Sequence, residues 1–408
     1  MHMLLLAPYP PYPPRGGGAL RIYNLVRGLA QHHEITLLTF APNPAAVAAL
    51  APLREICRVA TVYGPPPRSL ARRALTTFTA SRPDMALRNV SRAYTEALSR
   101  LLATGNYAVV QAESIEMAEY ALLARGLGPR LVLDQFNAEY LLQRRAAFTD
   151  LRRGLHPRSL IGGLYSLIQW RKLAHYEARM LQRFDRTLVV SADDRAALAC
   201  LVPATAPRLA VIPNGVDTTQ VQAGAVRGDM GQATMTFTGT LDYRPNLDAL
   251  RWFIAEVLPL IRQREPQARL LIVGRAAGQA ALALADEAVE VVGEVPDVAP
   301  YIDGAALYVL PMRIGGGSRL KLLEALAMEA PVVSTSMGVA GIAGLRDSEH
   351  LLIADDPQAF AEAALRLMAD PELGRELGAA GRAHVAAHYD WSVIIPLLEP
   401  VYAPMPPT

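Results

Sequence analysis

The stretch "PMRIGGGSRLKLLEALAM", at positions 311–328, contains the residue types of an anion site. Its glycines let a ligand approach the backbone, and they run into an amphipathic segment typical of a helix. The unpaired N–H groups and the positive dipole end of a helix N-terminus attract anions, and Arg and Lys add charge-assisted hydrogen bonds. We therefore expect a diphosphate to bind at Gly315, Gly316, Gly317, Ser318, Arg319 and Lys321.

An ordinary helix start is the alternative interpretation, in which Ser318 caps the helix and both cations are solvated. Two familiar phosphate motifs do not fit the sequence. A P-loop requires a glycine directly before its lysine, whereas Leu320 precedes Lys321. The dinucleotide fingerprint requires a third glycine where the segment "GGGALR" has Arg21, so an NAD enzyme is disfavoured.

Glu324 lies three positions after Lys321 and shares its helical face. A carboxylate there can accept hydrogen bonds from two adjacent hydroxyls, such as those of a ribose, as an acidic residue does in dinucleotide folds. It can equally form a functionally silent ion pair with Lys321. Spacing alone leaves both interpretations open.

Other glycines and one arginine follow strand-like segments, at the positions where open α/β sheets bind ligands. Gly17 and Gly18 follow the first such segment, and Gly239 and Gly274 end two segments of the second half. Arg244, in the loop after Gly239, can provide a second cation for phosphate. A solvated surface arginine is the alternative.

Acidic and amide side chains end two strand-like segments of the first half. Glu113 ends one of them, and Asp134, Asn137 and Glu139 lie at the end of the other. We expect Glu113 and Asp134 to bind hydroxyls of an acceptor substrate, and Asn137 and Glu139 to act in catalysis, for example as a base. Glu139 could equally be a first-turn carboxylate stabilised by its own helix dipole.

Metal chemistry has little support in the sequence. There is no H-E-x-x-H, no D-x-D and no Cys/His cluster, and the two cysteines, Cys57 and Cys200, lack metal or redox spacing. We expect no metal cofactor, so that any diphosphate charge is met by Arg, Lys and helix dipoles. The cysteine usage favours a reduced, cytoplasmic protein.

The segment 140–186 is rich in arginine, with aromatic and aliphatic residues between the charges. A basic amphipathic helix can lie on anionic lipid, which would make the protein peripheral on the inner face of a membrane. A solvated helix face is the commoner explanation. The basic residues are Arg144, Arg145, Arg152, Arg153, Arg158, Arg171, Lys172, Arg179, Arg183 and Arg186.

Strand-like apolar runs alternate with helix-period segments along most of the chain, which predicts βα units around buried parallel sheets. We predict seven strands in the first half and six in the second, with a Gly- and Asn-rich junction at residues 215–230 between them. The expected fold is α/β, with two doubly wound Rossmann-like domains facing a cleft and a helical tail. The expected domain limits are 1–217 for the acceptor side, 218–385 for the donor side and 386–408 for the tail helix.

The composition agrees with a globular protein of about two domains, since 51% of the 408 residues are hydrophobic and 19% are charged. The net charge of +2 argues against a nucleic-acid binder. The N-terminal run "HMLLLAP" is short and lacks a preceding Lys or Arg, so we interpret it as a buried strand rather than a signal peptide. No segment has the ~20 apolar residues of a membrane span.

Taken together, several segments resemble the retaining glycosyltransferases of family 4, which have the GT-B fold. They are "PYPPRGGGALRIYNLVRGLAQHHEITLLT", "VIPNGVD", "TGTLDYRPNLDALRWF", "VVGEVPDVAPYIDGAALYVLP" and "RIGGGSRLKLLEALAMEAPVVSTSMGVAGI", spread nearly end to end.

The resemblance implies roles for individual residues. Arg244 and Lys321 would contact the donor diphosphate, Glu324 would bind the ribose hydroxyls, and Val295 would contact the nucleobase through its backbone. Gly17 and Gly18 would let the first loop approach the donor phosphate and the acceptor. Retention in this family is attributed to front-face attack, in which a departing phosphate oxygen assists deprotonation of the acceptor.

The chain departs from the family pattern at two positions. Many relatives have a second glutamate eight positions before the one matching Glu324, where this chain has Gly316. They also often have a histidine where this chain has Phe136. Loop N–H groups would then replace the first contact, and Asp134, Asn137 or Glu139 would replace the second.

The resulting hypothesis is a hexosyltransferase that uses a UDP- or GDP-linked sugar and a glycan, lipid-linked or small-molecule hydroxyl acceptor, as in polysaccharide biosynthesis. Two alternatives stay open: a nucleotide-sugar epimerase of the same architecture, and a non-catalytic nucleotide-sugar-binding subunit.

Overall fold

The computed structural model describes residues 1–152, 157–221, 230–231, 233–315 and 319–403. The chain divides into two compact units, one comprising Met1–Pro213 with Ile395–Thr408 and the other Asn214–Ile394. Each unit is an α/β domain built on one parallel sheet, which confirms the fold class predicted from the alternation of strand and helix patterns.

The sheet of the first unit has seven strands in the described residues, in the order β3-β2-β1-β4-β5-β6-β7. Its central strands are buried almost completely because helices cover both faces, which explains their continuous apolar sequences. The strands are β1 (His2–Ala7), β2 (Glu34–Ala41), β3 (Arg58–Tyr63), β4 (Val109–Glu113), β5 (Arg130–Gln135), β6 (Arg186–Val189) and β7 (Leu209–Val211).

The helices of the first unit up to residue 201 are α1 (Gly17–Leu29), α2 (Pro44–Ala49), α3 (Ala51–Arg54), α4 (Leu70–Thr79), α5 (Asp84–Arg88), α6 (Arg92–Thr104), α7 (Ala118–Ala121), α8 (Glu139–Arg152), α9 (Pro157–Arg183) and α10 (Ala192–Leu201). Of these, α8 and α9 are long and pack against each other.

The sheet of the second unit has six strands in the described residues, in the order β10-β9-β8-β11-β12-β13. They are β8 (Thr234–Thr238), β9 (Arg269–Val273), β10 (Val289–Gly293), β11 (Leu307–Leu310), β12 (Val332–Ser334) and β13 (Leu352–Ile353). The helices are α11 (Arg244–Trp252), α12 (Leu258–Arg264), α13 (Gln279–Leu282), α14 (Ala299–Asp303), α15 (Leu320–Ala327), α16 (Ser336–Val339), α17 (Pro357–Ala369), α18 (Pro371–Tyr389) and α19 (Trp391–Ile394).

In both sheets the chain order reverses between two central strands, β1 and β4 in the first unit and β8 and β11 in the second. The connections leave these neighbouring strands in opposite directions, which opens a crevice at their carboxyl ends. This topology places the loops after β1 and β4 together, and likewise the loops after β8 and β11.

The final residues pack on the first unit through α20 (Glu399–Tyr402). Arg130 donates a 3.0 Å hydrogen bond to the Val401 carbonyl, and the Tyr402 hydroxyl donates a 2.7 Å bond to Gln111 Oε1. No helix in the part of the chain that the structure describes is long and apolar enough to cross a membrane.

Candidate functional site

The glycine loop after β11 begins at Gly315. Gly315 has φ 151°, a conformation that favours glycine, and a Cβ atom there would overlap the Arg319 guanidinium. At the base of the loop, Arg313 pairs with Asp248 of α11 at 3.0 Å. The predicted contacts at 316–318, which comprise Gly316, Gly317 and Ser318, lie outside the described residues.

Lys321 is the second residue of α15 and lies at the centre of a compact cluster. Its Nζ donates a 2.9 Å hydrogen bond to Asn246 Oδ1 and lies 4.1 Å from the centre of the Phe237 ring. Asn246 Nδ2 in turn donates a 2.8 Å bond to the Thr240 carbonyl, which fixes the side-chain orientation. The first turns of α11 and α15 therefore meet at the carboxyl ends of β8 and β11.

Two glycines make this close approach sterically feasible. Gly239 follows β8 with φ 153°, and a Cβ atom there would lie 2.6 Å from Lys321 Nζ and 2.8 Å from Asn246 Nδ2. Gly274, with φ 152° after β9, lies so close that a Cβ atom would overlap the Gly239 carbonyl oxygen. The structure thus places both predicted glycines at the cluster.

Burial shifts the titration of the two ionisable groups on α15. Removal from water, together with the charge of Arg319, lowers the pKa of Lys321 to about 7. Burial also raises the pKa of Glu324 to about 7, although the Lys321 charge opposes this shift. An amine that is half-charged near neutral pH becomes fully protonated when an anion binds beside it, so the cluster is suited to a diphosphate.

The other predicted donor-side residues lie at different distances from this cluster. Arg244 is the first residue of α11, two positions before Asn246, and is half-buried. Arg319 immediately precedes α15, which begins at Leu320. Val295 lies after β10, the edge strand, two strands away from β8.

The first helix of the first unit begins at Gly17, with Gly16 at φ 94° preceding it. A Cβ atom at Gly18 would overlap the Tyr9 hydroxyl and lie 3.1 Å from Phe136 Cε2. Gly18 thus lets the Tyr9 and Phe136 side chains, from the loops after β1 and β5, approach the backbone of α1 closely. Gly17 and Gly18, the two glycines predicted for the first loop, are thus the first two residues of α1.

A cavity of about 80 Å³ lies beside these loops in the first unit. Asn137 Nδ2 donates a 3.2 Å hydrogen bond to Glu139 Oε1, and burial raises the pKa of Glu139 to about 7. Burial also raises the pKa of Glu116, which accepts a 2.7 Å bond from Asn89. The cavity is lined by Tyr9, Met85, Ser114, Ile115, Glu116, Gln135, Phe136, Asn137 and Glu139.

Glu113 and Asp134, predicted to bind the acceptor, are completely buried. Arg21 binds both Asp134 oxygens, at 2.7 and 2.8 Å, and also donates to the carbonyls of Ile212 and Pro213 at 3.0 and 3.1 Å. Burial and the nearby Asp134 charge raise the pKa of Glu113 well above its usual value. In the structure both carboxyls are thus surrounded by other groups of the protein. That they bind an acceptor stays a prediction.

Sequence reasoning missed several groups that the fold brings to these sites. Asn246 has a recognisable signal, since it lies in the first helical turn after a strand-end glycine. Tyr9 and Glu116 reach the cavity from loops after β1 and β4, and only the strand order reveals that these loops are neighbours. Glu177 accepts 2.9 and 2.7 Å bonds from the N–H groups of Glu139 and Tyr140, which fixes the start of α8.

Several cations of the basic segment are engaged within the protein. Arg144 lies 5.7 Å from the centre of the Trp170 ring, and Lys172 donates a 2.7 Å hydrogen bond to the Thr77 carbonyl. Arg179 lies 3.7 Å from a Glu119 oxygen. Arg153 and the side chains of Arg152 and Arg158 lie outside the described residues.

The described residues contain no group of three or more His, Cys, Asp or Glu side chains arranged to hold a metal ion. Within these ranges the groups available to an anion at the Lys321 cluster are amine, guanidinium, amide and backbone N–H. The expectation of metal independence stays a prediction.

Two family models match the chain. The model described as Glycosyltransferase Family 4 covers residues 15–220, and the model described as Glycosyl transferases group 1 covers residues 232–370. The first spans half of the chain and includes the cavity residues from Met85 to Glu139. The second includes the Lys321 cluster.

Curated relatives match over part of their length. A phosphatidyl-myo-inositol mannosyltransferase of Mycobacterium leprae is 34% identical over 47% of this chain and 52% of its own. An uncharacterised 44.6 kDa protein of the cps region of Klebsiella pneumoniae is 31% identical over 33% of this chain and 37% of its own. The matched region thus spans about half or less of these relatives.

Solved structures are similar over nearly the whole chain. Sucrose-phosphate synthase from Thermosynechococcus elongatus superposes with a TM-score of 0.70 at 17% identity, covering 98% of each chain. Anabaena HepE, solved with UDP and glucose, superposes with a TM-score of 0.68 at 13% identity, covering 97% of this chain and 98% of its own. At these identities the similarity shows the shared fold.

Proposed function

The chain belongs to glycosyltransferase family 4, and from this we propose that it transfers a hexose from a nucleoside diphosphate sugar to an acceptor hydroxyl with retention of configuration. The observation that carries the proposal is the cluster of Lys321, Asn246 and Gly239 at the ends of β8 and β11. It combines a cation, an amide and a half-buried glycine at the switch point of a parallel sheet, where such folds bind ligands.

In the proposed reaction the bond between the sugar C1 and the β-phosphate oxygen breaks, and a bond from the acceptor oxygen to C1 forms on the same face. Lys321, Arg244 and Arg319 stabilise the negative charge on the departing diphosphate. The acceptor proton passes to an oxygen of that diphosphate. The chain's contribution is to bind, to orient and to supply positive charge.

Glu324 is proposed to bind the ribose hydroxyls, and the Val295 backbone the nucleobase. Glu324 lies one turn after Lys321 on α15, so a nucleotide whose diphosphate is at Lys321 has its ribose within reach of this carboxyl. Because the Glu324 carboxyl is buried, it has little access to water, and hydrogen bonds from the ribose hydroxyls would satisfy it instead.

The acceptor is proposed to bind at the cavity of the first unit. Asn137 and Glu139 lie at its wall and can hydrogen-bond hydroxyls of a polyol or sugar, and Tyr9 supplies an apolar ring with a hydroxyl. Phe136, where relatives often have histidine, adds an apolar surface rather than a proton acceptor. The carboxyl groups of this wall are therefore those of Glu139 and Glu116.

The choice between UDP and GDP rests on relatives. A similar structure was solved with UDP and glucose. A relative from Corynebacterium glutamicum, 28% identical over 35% of this chain, is named a GDP-mannose-dependent mannosyltransferase of a phosphatidylinositol monomannoside. We propose GDP-mannose and UDP-glucose as the first donors to test, with inositol-containing or sugar acceptors, and expect the reaction to need no metal. The cytoplasmic location and membrane contact through residues 140–186 stay predictions.

A donor and acceptor panel tests the proposal. Purified protein is incubated in EDTA with UDP- and GDP-sugars, alone and with myo-inositol, phosphatidylinositol or simple glycosides, and products are analysed by NMR. Nucleotide release that requires acceptor, with an anomeric configuration equal to that of the donor, supports transfer. A changed sugar without acceptor would indicate an epimerase, and binding without turnover a non-catalytic subunit. A Lys321→Met variant gives the background rate.

A further inference from the structure

Helix α4 presents its apolar residues to solvent. The exposed fractions are 79% for Leu70, 62% for Leu75 and 73% for Phe78. Ala71 and Ala74 are exposed as well. With 100° per residue these five positions fall within one 140° arc, which we call the α4 apolar face.

Polar contacts attach α4 to the domain, although Arg72, Arg73 and Thr79 of this helix are exposed as well. Thr77 is buried, and Arg68 donates a 2.7 Å hydrogen bond to the Thr76 hydroxyl. Arg73 lies 3.3 Å from an Asp84 oxygen of α5. From α9, Lys172 donates to the Thr77 carbonyl at the end of the helix.

An ordinary surface helix packs its apolar stripe on the core. In contrast, α4 buries Thr77 and leaves its apolar stripe exposed. The polar contacts hold the helix on the domain with its apolar side outward. An exposed apolar face that is fixed by specific contacts on its opposite side indicates a surface for an apolar partner.

The charge around α4 is positive. Residues 64–92 contain Arg68, Arg72, Arg73, Arg82, Arg88 and Arg92, with Asp84 as the one acidic residue. Arg82, Arg88 and Arg92 pair with glutamates elsewhere in the unit, and Arg68 and Arg73 share Asp84. Arg72 is exposed beside the apolar face and forms no ion pair among the described residues. The boundary of the apolar face therefore carries net positive charge.

We propose that the α4 apolar face lies on the surface of an anionic lipid bilayer. An interfacial helix combines Leu and Phe on one side with arginines at its flank, which neutralise lipid headgroups while the apolar side chains insert. Three large side chains on one short helix are well short of the ~800 Å² per partner that a stable protein interface buries. The surface differs from the 140–186 segment, and the proposal does not depend on the enzymatic function.

Vesicle flotation of the full chain tests this surface. The vesicles are phosphatidylcholine with about 30% phosphatidylglycerol, which makes their surface strongly anionic, or phosphatidylcholine alone. The test variant is Leu75→Gln/Phe78→Gln, whose sites are exposed enough to keep the fold, as verified by circular dichroism. Leu127→Gln, at a site 64% exposed elsewhere on the same unit, is the matched control. Arg72→Glu tests the charge.

We expect wild type and Leu127→Gln to bind the anionic vesicles equally. The double variant should bind at least about tenfold more weakly, because each removed side chain loses its apolar transfer. Arg72→Glu should bind several-fold more weakly, with a smaller salt dependence. Unchanged binding of the double variant, equal binding to neutral vesicles, or no vesicle binding by wild type would overturn the proposal. The proposal would also be overturned if wild type formed a dimer and did not bind vesicles, while the double variant was monomeric.

Discussion

Lys321 Nζ donates a 2.9 Å hydrogen bond to Asn246 Oδ1, joining residues 75 positions apart in sequence. The bond connects the first turn of α15 to the first turn of α11. Both helices start at the carboxyl ends of neighbouring strands, so their N–H groups and the amine lie at one place. In family terms this is where the donor diphosphate is proposed to bind.

Gly239→Ala should disrupt this arrangement. The new Cβ atom would lie 2.6 Å from Lys321 Nζ at φ 153°, so the amine must move or the backbone must strain. We expect the affinity for a nucleoside diphosphate, measured by calorimetry, to fall at least ~10-fold, equivalent to about 1.4 kcal/mol. Gly278→Ala, where a Cβ atom meets open space, is the control and should bind like wild type. Equal binding by both variants would contradict the proposed position of the diphosphate.

Nucleoside diphosphate binding should weaken as pH rises above 7. Free Lys321 has its pKa lowered to about 7, and a bound anion raises that pKa, so the complex holds more protons than the free protein above pH 7. The dissociation constant should rise by up to about tenfold per pH unit between 7 and 9. In Lys321→Met the slope should become markedly shallower. A flat wild-type profile would show that the amine does not meet the diphosphate.

Glu324→Gln should weaken binding of ribonucleotides selectively. We compare a nucleoside diphosphate with its 2′,3′-dideoxy analogue at pH 6.5. Because the pKa of Glu324 is raised to about 7, the carboxyl is mostly protonated at this pH, and its replacement changes the charge beside Lys321 little. The ribonucleotide should lose roughly 2- to 10-fold in affinity relative to the analogue, since a neutral hydrogen bond contributes about 0.5–1.5 kcal/mol. Equal losses for the two ligands would instead support a silent pairing of Glu324 with Lys321.

Asn137→Ala and Glu139→Gln should impair acceptor use while leaving nucleotide affinity unchanged. Each removes a hydrogen-bonding group at the cavity wall, and we expect kcat/KM for the acceptor to fall about 10- to 100-fold. Because burial raises the pKa of Glu139 to about 7, its ionised form accumulates above that pH, and wild-type kcat/KM should rise through pH 7. Glu96→Gln, on the exposed face of α6, is the control. Full activity in both cavity variants would place the acceptor elsewhere.

Asp134→Asn should destabilise the first unit. The substitution leaves the buried Arg21 guanidinium without its bidentate partner, and breaking a buried pair costs about 3–5 kcal/mol. Urea unfolding followed by fluorescence measures the change. Arg92→Ala, which removes an exposed ion pair with Glu96, should cost at most ~0.5 kcal/mol. A similarly small effect of Asp134→Asn would show that the Arg21 ion pair is not a structural anchor.

The sequence predicted the two sheets well because buried parallel strands are continuously apolar. All thirteen predicted strand segments correspond to β1–β13 in the described residues. The alternation with helices then determined the fold class.

The sequence was less informative about side chains whose surroundings depend on strand order. Asp134 lies in β5 at its carboxyl end as expected, but Arg21, which binds it, lies on α1, 113 positions away in sequence. Tyr9 and Glu116 meet at one cavity because β1 and β4 are neighbours in the sheet. The attachment of α4 likewise depends on Lys172, which lies 95 positions from Thr77 in sequence.

The most direct test of the donor site is a calorimetric titration of UDP and GDP, in EDTA at pH 6.5, into wild type and Lys321→Met. Lys321 is charged at this pH, so at least one nucleotide should bind wild type without metal. The variant should bind it at least ~10-fold more weakly because the amine's charge is lost. Equal binding to the two proteins, or no binding of either nucleotide to wild type, would contradict a donor diphosphate held by Lys321.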